Sequence, residues 1–110
     1  MTAEERAVLE AALENEEAEE LLGVVIEIAL AADDLAWAQS CLLRLAGHAD
    51  TDVRGNALMA FAQLSARLGE VDRARVAPAL AAGLGDEAAH VREQARACLD
   101  ELGWTLADGE

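Results

Sequence analysis

The sequence predicts an all-α protein of about six short antiparallel helices in one domain, and three observations predict it. Ala and Leu supply most of the 54% apolar residues, against one Phe, two Trp and no Tyr. Few aromatic and β-branched side chains argue against a sheet, on whose pleated surface those residues pack best, while Ala and Leu favour close-packed helices. Apolar positions recur at helical spacing nearly from end to end, broken by short capping and glycine-bearing stretches. Finally, part of the pattern returns 38 residues later. A chain of 110 residues buries roughly 65% of its unfolded surface, enough for one modest core.

Taken in order, Thr2 followed by Glu5 forms a capping box. It opens a first helix over about 3–14, with Val8, Leu9, Ala12 and Leu13 as its apolar stripe. Glu16 and Glu17 restart the chain with acids that favour a helix dipole. The second helix, about 17–32, carries Leu21, Leu22, Val25, Ile28 and Ala29. Val24, Ile26 and Leu30 are apolar too, so burial on more than one side is expected there. Asp33-Asp34 caps a third helix, about 34–47, ended by Gly47. Asp50-Thr51-Asp52 caps the fourth, about 52–68, with Val53, Ala57, Ala60, Phe61, Leu64 and Leu68 on one face and Gly69 at its end. Asp72 opens the fifth, about 72–83, and the sixth runs over about 87–102 to Gly103, leaving a loose tail anchored by Trp104.

The net charge is −14, and it is unevenly placed. Residues 1–34 hold eleven acids against Arg6 alone, net −10, and residues 35–110 hold eleven acids against seven Arg, net −4. Such a field repels nucleic acid and anionic lipid and steers basic partners; simple solubility is the other reading. The longest apolar stretch, Leu21 to Ala32, contains Glu27 and is too short to span a bilayer. The opening residues lack a signal-peptide pattern, so a cytoplasmic protein is expected.

Nothing in the chain assembles a catalytic set. Cys41 and Cys98 lie inside predicted helices without a Cys or His partner at metal-ligand spacing, and read as buried apolar residues. His48 and His90 read as exposed turn residues. Phosphate loops, nucleophile elbows and zinc motifs are missing from the sequence. No enzyme activity, metal or cofactor is expected.

The repeat is Asp52-Val53-Arg54-Gly55-Asn56-Ala57 against His90-Val91-Arg92-Glu93-Gln94-Ala95, with Leu42 matching Leu80, Phe61 matching Leu99 and Leu64 matching Leu102. The Asp…Val-Arg-x-x-Ala turns resemble those of the HEAT repeat, and Pro78 is similar to the proline in the first helix of many such units. The resemblance covers about 33–102, since residues 1–32 keep the apolar spacing without Val-Arg. It implies a short right-handed α-solenoid of three helical hairpins, about 1–32, 33–69 and 70–102, with 103–110 as a tail. Within it Arg54 and Arg92 would pair with turn aspartates between stacked units, and Asp50, Asp52 and Asp86 would also cap the second helices.

In a HEAT-like stack the second helices line the binding face. That reading places Gly55, Met59, Ala62, Gln63 and Ala66 of helix four there, with Glu93, Ala97, Asp100 and Glu101 of helix six and Gly23, Glu27 and Leu30 of helix two. Trp37 and Trp104 read either as interface anchors or as core packing between units and over the last unit. The chain is similar in general pattern to small bacterial HEAT-like immunity proteins of polymorphic and contact-dependent toxin systems, on Asp34 to Gln39, Val53 to Ala57 and Leu64 to Gly69. The resemblance implies a protein partner, a basic nuclease-type toxin domain that Glu16, Glu17, Glu19, Glu20 and Glu27 would steer and neutralise. A generic HEAT-like adaptor, or self-association through the same face, is the alternative.

Overall fold

The computed structural model describes residues 1–15 and 17–106. Its described residues form six helices and no strand: α1 (Ala3–Leu13), α2 (Ala18–Ala31), α3 (Leu35–Leu45), α4 (Thr51–Leu68), α5 (Arg73–Leu84) and α6 (Ala89–Leu102). Each lies within about two residues of its sequence-predicted span, and at the starts of α1, α3, α4 and α5 local capping chemistry sets the boundary. The Thr2 hydroxyl accepts from the Glu5 amide at 3.1 Å while the Glu5 carboxylate accepts from the Thr2 amide at 3.0 Å. Asp34, Asp50 and Asp72 each accept an amide of the first turn they precede. Gly103 ends α6 in a left-handed conformation, φ 70°.

The helices form a slab of 42 × 28 × 17 Å. The long helix α4 contacts α2, α3, α5 and α6, with its broadest contact on α6, while α1 rests on α2 and α5 on α6. Phe61, Val53, Leu64, Leu42, Val76, Leu80, Val91 and Cys98 are fully enclosed around it. Two glycines permit that closeness. A Cβ at Gly55 would lie 2.8 Å from the His90 ring, and one at Gly83 would lie 2.6 Å from Leu58 and 2.9 Å from Ala95.

The structure corrects several expectations. Val8, Ile26 and Leu30 are exposed by 68%, 56% and 66%, so α2 buries one side only and α1 turns part of its stripe outward. Gly55 and Ala62 are buried in the α4–α6 seam instead of facing outward. His48 and His90 are half-buried: the His48 Nδ1 accepts the Asp50 amide at 3.0 Å, and the His90 ring covers Gly55. Asp52 caps nothing. Asp86 stands two residues before the N-cap Ala88, accepting the Ala88 amide, and α6 has no side-chain cap.

Candidate protein-binding surface

The arginines are the side chains that bind one segment to the next. The Arg54 Nε and Nη2 grip both carboxylate oxygens of Asp86 at 3.0 and 2.9 Å, and its Nη1 donates to the His48 and Ala49 carbonyls. The Arg92 Nη1 donates in the same way to the carbonyls of Asp86 and Glu87, each 38 residues after its counterpart. Arg67 donates to the Ala29, Ile28 and Ala32 carbonyls at the end of α2, and Arg44 to Glu14 and the Leu13 carbonyl at the end of α1. Helix ends leave unpaired carbonyls that cations satisfy. Arg6 lies over the Trp37 ring at 4.7 Å, and Arg73 over the Trp104 ring at 5.0 Å while donating to the Thr105 carbonyl. Both tryptophans are half-buried and packed on the core, so intramolecular contacts occupy one face of each.

With these cations engaged, one cleft stands apart in its charge. An open groove of about 380 Å³ runs between α1 and α2, lined by Glu5, Val8, Leu9 and Ala12 on one side and Glu20, Gly23, Val24 and Glu27 on the other. Both sets follow the i, i+3, i+4, i+7 spacing of a single helix face. Its floor is apolar, and its charged lining is carboxylate alone. Four other clefts of similar size each include Arg44, Arg54 or Arg73. Glu20 also accepts a hydrogen bond from the Asn15 amide group. The Thr2 backbone amide, reinforced by its hydroxyl, holds the Glu5 carboxyl below its ordinary range. Among the described residues no group of three His, Cys, Asp or Glu is placed to hold a metal ion. No described helix is long and apolar enough to cross a membrane.

Of the partner-binding residues expected from the sequence, the structure brings Glu20 and Glu27 together in this groove, and Glu17 and Glu19 are exposed near the start of the same helix. Glu16 lies outside the described residues. Met59, half-buried, and Gln63, exposed, lie on α4, with Asp100 and Glu101 exposed on α6, away from the groove. Trp37 and Trp104 stand on α3 and just past α6, under their arginines. Gly23, expected on the partner-facing side of helix two, lines the groove, whereas Glu5 and Val8 are groove residues that the sequence does not reveal, because Val8 reads as part of an inward stripe and Glu5 as part of the cap. Nor does the sequence reveal Gln39, which is buried with its Oε1 accepting the Asp72 amide at 2.7 Å. Comparisons of the chain with protein-family models, with curated proteins and with solved structures give no match.

Proposed function

We propose that this protein is a non-catalytic binding module for a basic protein, and that the α1/α2 groove is where the partner sits. The observation that carries the reading is a groove with an apolar floor and a carboxylate-only rim, in a segment of net charge −10. Apolar contact supplies affinity and the rim acids, which form no salt bridge among the described residues, supply steering, a division seen widely in protein interfaces. Nucleic acid and anionic membranes would be repelled by the same field.

The architecture that best accommodates these contacts is a short right-handed HEAT-like solenoid of three helical hairpins, with α2, α4 and α6 as its second helices. Supporting it are the contacts of α4 with both α2 and α6 and the matched carbonyl bonds of Arg54 and Arg92 at a 38-residue interval. Within the class of small acidic helical proteins, an immunity protein neutralising a basic nuclease-type toxin in the cytoplasm fits the charge best, since a carboxylate-rich surface can occupy a groove built for phosphate. The test is co-purification with the product of the neighbouring gene, followed by association kinetics. A complex whose association slows steeply between low and high salt is expected; an association rate independent of salt contradicts electrostatic capture.

A further inference from the structure

We propose that the α1/α2 groove receives one α-helix of the partner, whose backbone passes over Gly23; this rests on the basic-partner reading and specifies its geometry. Three glycines fall within helices, Gly83 one residue before the end of α5, and Gly23 and Gly55 in helix interiors. Glycine there costs about 1 kcal/mol relative to alanine, so each position calls for a reason. Gly55 and Gly83 have one inside the molecule, where a Cβ would collide with His90 or with Leu58 and Ala95. Gly23 has none: nothing lies within 4 Å of the Cβ it lacks, and it opens onto the groove. A close approach from outside the chain accounts for it.

The shape of the groove selects a helix. Two facing rows, Glu5 to Ala12 and Glu20 to Glu27, each run for about 10 Å, the length of two helical turns. Helix surfaces interlock by setting side-chain ridges into such furrows, and apolar residues at i, i+3, i+4 and i+7 would reach the floor formed by Leu9, Ala12 and Val24. Exposed Val8 at one lip offers further apolar contact. Charge selects the flanks: Lys or Arg beside the apolar stripe meet Glu5, Glu20 and Glu27. A second copy of this chain is disfavoured as the occupant, because its groove would bring carboxylates onto carboxylates.

The test uses the full chain and synthetic helices of about 15 residues, read by fluorescence anisotropy. One carries Leu at i, i+3, i+4 and i+7 with Lys flanks; a second has the same composition scrambled; a third has Glu in place of Lys. The first helix is expected to bind, and Gly23→Phe, which fills the groove from a position with open space, is expected to weaken it about tenfold or more without lowering the melting temperature. Val8→Arg at the exposed lip should weaken it too, and keeps the test decisive should Gly23→Phe fail to fold. Equal binding by the plugged variants overturns helix docking while the basic-partner reading stands. Equal binding of the scrambled peptide also overturns helix docking. Equal binding of the Glu peptide overturns the basic-partner reading itself, and no binding by any peptide overturns helix docking.

Discussion

Arg67 reaches from near the end of α4 to three carbonyls at the end of α2, the closest at 2.7 Å. A lysine there would keep the charge and lose the fork that meets several acceptors at once. The same holds at Arg54, so Arg54→Lys should lower the melting temperature, with Arg54→Ala lowering it further because Asp86 then loses both its bidentate bonds. Acid should act on the same contacts. Arg54 holds the Asp86 carboxyl below its ordinary range, and the N-terminal ammonium, 2.7 Å away, does so for Asp33. Carboxyls lowered by folding contribute stability above their unfolded values near about 4, and that stability is lost as pH falls through the lowered folded values. Thermal melts stepped downward from pH 5 should therefore show a falling midpoint, with a smaller fall in Arg54→Ala. The thiols behave oppositely in sense: burial pushes Cys41 and Cys98 up to about 11. Both should resist alkylation at neutral pH in the native protein and react once denaturant is added; fast native labelling of Cys98 would contradict its enclosure.

At the scale of the element, helix starts were legible because their chemistry is local. Thr2, Asp34, Asp50 and Asp72 act on amides two to three residues away, a distance the sequence displays directly. Outward and inward faces were legible only where both neighbours of a helix could be inferred. Ile26 and Leu30 lie on an α2 face that no described element covers, and hydropathy alone cannot distinguish such a face from a buried one. Gly55 misled for a similar reason, since its neighbour His90 comes from another helix. The two kinds of helical glycine give opposite predictions. Gly83→Ala forces Leu58 and Ala95 apart and should cost about 1–3 kcal/mol, whereas Gly23→Ala meets open space and should stabilise by about 1 kcal/mol. Chemical denaturation of both variants checks the pair, and equal effects would refute the packing contrast.

At the scale of the molecule, the acid-rich first third and the repeat-bearing remainder do different things. Residues from Asp33 onward supply α3 to α6 and the arginines that fasten one segment to the next, while α2 packs on α4 from the first third. The first two helices contribute the groove, with its acids left free of bases. The uneven charge was legible in the sequence; the groove was not, because it depends on α1 and α2 turning Val8 and Gly23 to the same side. The most direct measurement is an amide-resolved NMR titration with the Lys-flanked helix. Shifts concentrated at Glu5, Val8, Glu20, Gly23 and Glu27, fading as salt is raised, are the predicted result. Shifts centred instead on Met59, Gln63, Asp100 and Glu101 would place binding on α4 and α6 and contradict the account.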